Sequence, residues 1–371
     1  YSSKYIDLSK WSILFISMLF TCFQIFAQKN TSLDTAKKSN RILILGNDMS
    51  EYIQSDSVTV QKLLWNVKLL HGSDTLYCDS AFFYTNKNSV EAFGDVVIRQ
   101  ADGTVALADY MRYTGNNKVV YMKANKAMGE VQLDDGKENS LWSKEIEYNL
   151  ITKIGKYRKR GYLQTATTTL SSNTGEYNMK TKDARFRGDV DVQDPEYHAV
   201  SSDLGYNTDT EVAKFFGPSV VSNDKSILQT SNGNYDKRNK KAHFVGRSSI
   251  LNEAQYIEGD TLNYDRITGY GYAFGDVIAI DTGMKITLYC NHAHYNEIYK
   301  TLLAYGKPLL KKADGKDSLY MKADTFYCAP DSSKGLIMSA QDSLQNTADE
   351  LIGPVGVDST VSKLDSLGAV S

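Results

Sequence analysis

A tyrosine returns down this chain at a nearly fixed step. Tyr84, Tyr113, Tyr148, Tyr177, Tyr206, Tyr235, Tyr264, Tyr295 and Tyr327 are separated by 29, 35, 29, 29, 29, 29, 31 and 32 residues. A step of that size held over most of a chain is the mark of a repeat architecture, in which each unit buries its apolar face only against its neighbours. The fold must therefore be a stack of like units, and the question becomes what one unit is.

The stretch Asp183 to Val192 answers it. Ala184, Phe186, Gly188, Val190 and Val192 share one parity, and Asp183, Arg185, Arg187, Asp189 and Asp191 the other. Period-two alternation of that kind predicts a half-buried β-strand. Related stretches are Ala92 to Val96, Lys214 to Pro218, His243 to Gly246, Ala273 to Val277 and Ala304 to Lys307. Each follows its tyrosine across a polar turn such as Asn207-Thr208-Asp209-Thr210, and a second turn closes the unit, marked Asp-Gly at Asp102-Gly103, Asp135-Gly136 and Asp314-Gly315. Two turn signals per unit predict two antiparallel strands per unit.

A glycine recurs on the apolar parity of the second strand. Glycine inside a strand marks a bulge, a bend or the close approach of another backbone. One per unit at one position puts the bend at a single level of the stack and curls the sheet around its apolar face. The expected fold is all-β: an elongated antiparallel β-jellyroll of about 29-residue two-strand repeats, slightly open, with an apolar interior. Trp65 stands where the first unit should carry its glycine.

Around this core the chain reads as four segments. Residues 1–27 have the basic start, the short apolar run and the small residue Ala27 of a secretory signal peptide. Residues 28–41 read as a linker, 42–330 as the repeat domain, and 331–371, rich in Ser, Asp and small residues, as a disordered tail. Lysine and arginine number 42 against 44 acids, which gives no reason to expect a nucleic-acid partner.

Residues that carry chemistry elsewhere are sparse. Cys78, Cys290 and Cys328 remain once Cys22 leaves with the signal, and an odd number closes no disulfide framework. His292 and His294 project from one strand face, with no third ligand in view to complete a metal site. The signatures of nucleophilic hydrolases, phosphate loops and zinc proteases are absent. No cofactor, no metal and no catalytic residue is expected. Two basic clusters, Lys156 to Arg160 and Lys237 to Lys241, fit either solvated turns or contacts to anionic groups.

The repeated motifs Leu76-Tyr77-Cys78-Asp79-Ser80-Ala81, Ala92-Phe93-Gly94-Asp95-Val96, Gly259-Asp260-Thr261-Leu262-Asn263-Tyr264 and Phe274-Gly275-Asp276-Val277, with Leu64 to Leu69 near the start, resemble the OstA/LptA family of periplasmic lipopolysaccharide-transport proteins. The resemblance runs from about Ile42 to Tyr327. It implies a slightly open jellyroll whose interior carries lipid A acyl chains, a periplasmic location, head-to-tail self-association, and partners among the transport components of the inner and outer membranes. Read that way, the inward positions that take acyl chains are Ala184, Phe186, Val190, Leu204, Tyr206, Phe215, Phe244, Leu262, Tyr264 and Val277. Two other readings compete: a structural or adhesive β-solenoid at the cell surface with a closed core, and a polysaccharide-acting enzyme with a carboxylate pair in a cleft.

Overall fold

The computed structural model of the protein describes residues 41–341 apart from 55–58, 126–128, 316 and 332–334. The expected signal segment, nearly all of the linker and the tail beyond Gln341 lie outside the described residues. The described residues are all-β, with strands from Leu43–Gly46 to Gly335–Gln341, and each ladder whose register is described is antiparallel. That pairing is the one hairpin repeats require, and it differs from the parallel coils of a solenoid. The chain divides into two compact units, residues 1–137 with 147–151 and residues 138–146 with 152–371.

In the second unit every repeat strand is bent in its middle. Asp183–Asp194 pairs with Tyr197–Asn207, and the register slips between Arg187 and Val190, where Gly188 and Asp189 are accommodated. Both take left-handed backbone, φ +72° and +47°. Glycine adopts this region freely and aspartate better than most residues, so Gly-Asp is the dipeptide that turns a strand sharply without breaking its pairing. The same bend breaks the neighbouring strands in two. Thr169–Ser172 and Thr174–Asn178 lie along the two halves of Asp183–Asp194. Val212–Phe215 and Ser219–Ser222 lie along the two halves of Tyr197–Asn207. Each repeat is thus a pair of strands folded into two limbs about a common level.

Both limbs turn an apolar row inward. Cross-strand pairing on the first runs Tyr177, Ala184, Tyr206, Ala213, Tyr235, Ala242, Tyr264 and Gly271. A parallel row nearer the bend runs Gly175, Phe186, Leu204, Phe215, Gly233, Phe244, Leu262 and Ala273. In the first row large side chains alternate with small ones, which lets neighbours on adjacent strands fill the same layer. At Gly233 the fit is tight: a Cβ there would lie 2.8 Å from the Phe244 ring. Phe215 and Phe244 meet across it with ring centroids 6.2 Å apart. The second limb carries an aliphatic row, Leu163, Leu170, Val192, Ala199, Val221, Leu228, Ile250, Ile257, Ala279, Leu288 and Leu310.

The first unit is built alike. Gly94-Asp95 bends the strand Ser89–Arg99 with φ +73° and +40°. Trp65 does not remove this device: it adopts φ +58° and Asn66 φ +53°, the same left-handed pair at the same slip in register, between Leu64 and Val67. Trp65 is 58% exposed, so its ring escapes the crowding that the bend would impose inside. The first tyrosine of the series needs correction. The inward position belongs to Phe83, which pairs with Val90 and through it with Tyr113, while Tyr84 falls on the other face. The inner rows Leu63, Ala81, Ala92, Met111, Met122 and Leu69, Leu76, Ile98, Ala106, Leu133 are buried throughout.

Each bend is capped in a way the sequence spacing had hidden. The glycine sits over a short polar side chain 15 residues earlier: Gly94 over Asp79, Gly188 over Asn173, Gly217 over Ser202 and Gly275 over Asp260. A Cβ on Gly275 would lie 2.5 Å from an Asp260 carboxylate oxygen, whereas one on Gly246 has its nearest neighbour, Ser231 Oγ, at 3.8 Å. Both glycines have φ near +80°. Gly246→Ala should therefore cost only the left-handed backbone, about 1 kcal/mol. Gly275→Ala should cost that and a displaced carboxylate, about 3 kcal/mol in all. Urea unfolding of the two variants measures the difference, and equal losses would contradict this account of the bend.

Candidate functional site

At the bend of the second unit the inner face is lined with hydroxyls. Ser143, Ser172, Ser201 and Thr230 follow one another at 29-residue steps, joined by Ser219 and Ser248, and all are buried. Each satisfies a carbonyl that the bend takes out of the strand ladder: Ser172 Oγ donates to Thr174 O (2.8 Å), Thr230 Oγ1 to Asn232 O (3.0 Å), Ser219 Oγ to Gly217 O (2.7 Å) and Ser248 Oγ to Gly246 O (2.9 Å). Buried carbonyls left without donors are costly, so the hydroxyls hold the hinge of the two limbs. Their step equals that of the tyrosines and was the signal available in the sequence.

Opposite the bend, the tips of the two limbs approach each other and form a mouth. In the first unit the mouth is closed by paired polar groups. Tyr148 Oη donates to Gln100 Oε1 at 2.6 Å, and Tyr113 Oη bonds His71 Nδ1. Only about 30 Å³ is left between Leu69, Leu76 and Ile98 on one limb and Val90, Tyr113 and Val120 on the other, room for one or two waters. In the second unit an ion pair spans the mouth. Lys237 Nζ lies 2.7 Å from Asp194 Oδ2, with their side chains 13% and 0% exposed. Thr168 Oγ1 donates to the same carboxylate at 2.6 Å, and Lys240 bonds Glu196 beside it at 2.9 Å.

The ten inward positions fall in the second unit and lie along its inner face. Ala184, Phe186, Val190, Leu204, Tyr206, Phe215, Phe244, Leu262 and Val277 are buried; Phe186 is wholly so. Tyr264 is half-buried and its hydroxyl donates to Glu297 on its own limb. Pairing joins Ala184 to Tyr206, Phe186 to Leu204 and Phe215, and Phe244 to Leu262, while Val190 and Val277 lie at the bend. The aliphatic row that faces them was missed. It is closed at Leu163, Leu170, Val192 and Ala199, opens to half-burial at Val221, Leu228, Ile250, Ile257 and Ala279, and closes again at Leu288 and Leu310. A separate concavity of about 1080 Å³, lined by Asp191, Val200, Gln229, Ser249 and Glu258 among others, takes in only Val190 of the ten.

The remaining polar features are internally engaged. Lys237, Arg238, Lys240 and Lys241 pair with Asp194, Glu211, Glu196 and Asp265, and Lys156 and Lys159 pair with Glu176 and Glu145. The second cluster therefore stitches turns together, while in the first Lys156 pairs across neighbouring strands and Lys159 ties its turn to Glu145. His292 stacks on Tyr305 at 4.5 Å and His294 packs on Tyr272 at 4.7 Å, forming an outer aromatic patch. Burial pushes the Cys78 and Cys290 thiols up to about 12 and Cys328 to about 11, so all three stay protonated near neutrality. Among the described residues no group of three or more His, Cys, Asp or Glu could hold a metal, and no helix is long and apolar enough to cross a membrane.

Residues 39–203 match the family model described as OstA-like protein. This region is OstA-like. The OstA-like region takes in the bent strands from Leu43–Gly46 to most of Tyr197–Asn207, and with them the polar mouth closure of the first unit and Asp194 and Glu196 of the second, but not Lys237 and Lys240. No curated protein matches the chain. Among solved structures, one similar chain is LptH of Pseudomonas aeruginosa, titled the LptA-homologous periplasmic component of the conserved lipopolysaccharide transport device. It is 12% identical, the match covers 47% of this chain and 94% of that one, and the TM-score is 0.19.

The ion pair at the mouth gives a pH signature. Burial alone would raise the Asp194 carboxyl, but hydrogen bonds from Lys237, Thr168 and the Glu196 backbone outweigh it and hold the group below its ordinary 3.8. A depressed folded-state value means that the contribution is complete above the ordinary value and is lost as pH falls through the lower one. The urea midpoint of the wild type, minus that of an Asp194→Asn, Lys237→Met double variant, should stay level from pH 7 to 4 and fall below it. A difference that falls between pH 7 and 5 would contradict the assignment.

Proposed function

We propose that this protein is a periplasmic carrier in lipopolysaccharide transport, which holds lipid A acyl chains between its two limbs while sugars and phosphates stay outside. The observation that carries the reading is the uncharged aliphatic row, half-exposed from Val221 to Ala279, that faces the tyrosine row across the second unit. Burying apolar surface contributes roughly 0.8 kcal/mol per methylene, so a wall of this kind suits alkyl chains and nothing charged. The match of residues 39–203 to the OstA-like family model supports this reading. The raised thiols and the internally paired charges favour a carrier over a catalyst.

Partners at the membranes would dock on strand edges. The last described strand, Gly335–Gln341, pairs with Thr325–Asp331 on one side, and an edge of unpaired backbone groups accepts another strand from a second copy or from another transport component.

Photo-crosslinking to lipopolysaccharide from p-benzoylphenylalanine at Tyr264, with outward Tyr289 as control, tests the cargo. Crosslinks are expected from Tyr264 and not from Tyr289. Leu228→Asp, a half-buried position that can hydrate its charge in the free protein, should weaken lipopolysaccharide binding at least about tenfold, or 1.4 kcal/mol. Unchanged binding, or crosslinks from Tyr289 alone, would remove the interior from the mechanism.

A further inference from the structure

The interior of the second unit changes character along its length, and the change coincides with one set of contacts. Up to Tyr235 the two limbs are tied across the mouth. Tyr197 meets Tyr235 edge to face at 6.2 Å, and Asp194 and Glu196 bind Lys237 and Lys240. Behind these ties the aliphatic wall is shut, with Leu163 and Leu170 at 0% exposure and Val192 and Ala199 at 2%. One repeat further on, the positions of Asp194 and Lys237 are held by Asn223 and Arg266, which cannot form an ion pair. Asn223 spends its side-chain oxygen on its own turn, accepting from the Lys225 and Ser226 backbone, and Tyr264 bonds Glu297 on its own limb. There the wall is half-exposed at Val221, Leu228, Ile250, Ile257 and Ala279.

These five side chains lie on five successive strands, a strip about 19 Å long at the usual strand spacing of ~4.8 Å. It is wholly aliphatic, faces the rings of Tyr235 and Tyr264, and continues without interruption into the closed row at Ala199 and Val192. Length, chemistry and continuity together suit the tail of an acylated amphiphile lying across the strands. The tie at its boundary is also costly to open halfway, because removing one partner strands a charge whose surroundings exclude water.

We propose that the strip from Val221 to Ala279 is the side port through which an acyl chain enters the second unit, and that Asp194 and Lys237 are the latch that bars it from the closed stretch lined by Phe186 and Val192. The port and the latch rest on the reading that this interior holds acyl chains. Asp194 and Lys237 act by position: they decide how far along the interior a chain reaches, without touching it at the port.

Palmitic acid carrying a terminal diazirine serves as the probe, with labelled positions mapped by peptide mass spectrometry after irradiation of the whole chain. In the wild type, labelling at Leu228, Ile250 and Ile257 should exceed that at Phe186, Leu170 and Val192 severalfold. In the Asp194→Asn, Lys237→Met double variant, which leaves no lone buried charge, labelling at Phe186, Leu170 and Val192 should rise severalfold toward the level of the port. Equal labelling of the two stretches in the wild type, or an unchanged pattern in a folded double variant, would overturn the latch and leave the acyl-chain reading standing. An interior unlabelled in both proteins would overturn the two together. Should the double variant fail to fold, the wild-type pattern alone decides, since a barred stretch must be the less labelled one.

Discussion

Two consecutive left-handed residues in the middle of a strand are what the rest of this structure depends on. A strand bent at Gly188-Asp189 can keep its hydrogen-bonded neighbours only if they bend at the same level, and each does so by a bulge or by a break. The constraint spreads from strand to strand until a flat sheet has become two limbs that share an inside. The carbonyls freed at the bend are met by buried serines and threonines, and the space over the glycines by Asp79, Asn173, Ser202 and Asp260. The left-handed pair and its polar cap recur with the repeat, whereas the hydroxyls run from Ser143 to Thr230 and give way to Gly259 in the next repeat.

The two inner faces divide the work. The tyrosine limb alternates rings with alanine or glycine and supplies hydroxyls that reach the mouth; the aliphatic limb supplies, beyond its hydroxyls at the bend, a row of purely hydrocarbon side chains. Where hydroxyls or ions meet the opposite tip, the aliphatic wall is sealed. Where the tip residues are Asn223 and Arg266, it is partly open. The residue types at the turns thus coincide with which part of the scaffold is closed core and which part is half-exposed.

Much of this could be read in the chain itself. The tyrosine step and the ten-residue alternation after Asp183 specify paired strands, and the recurring glycine specifies a bend, because backbone preference and side-chain parity are local properties. What escaped was either short or distant. Ser219–Ser222 and Ser226–Thr230 are too brief to display alternation, so the aliphatic row they carry went unseen. The buried serines look polar and outward until the bend gives them carbonyls to bind. Asp194 and Lys237 stand 43 residues apart in two turns that only the folded limbs bring together. Trp65 shows the opposite limit: an unexpected residue type read as a break in the pattern, although the backbone there keeps it, since an exposed ring leaves the bend free to form.

The proposed function requires the limbs to be two walls of one ligand-holding space, hinged at the bend. Spin labels at Lys225 and Arg266, exposed tips on opposite limbs of the unlatched stretch, report that separation directly by double electron–electron resonance. Adding lipopolysaccharide should shift the distance distribution to longer values, as the walls part around the chains. A distribution that stays unchanged while native mass spectrometry shows lipopolysaccharide bound would mean that the cargo lies elsewhere on the protein, and the interior would then be core alone.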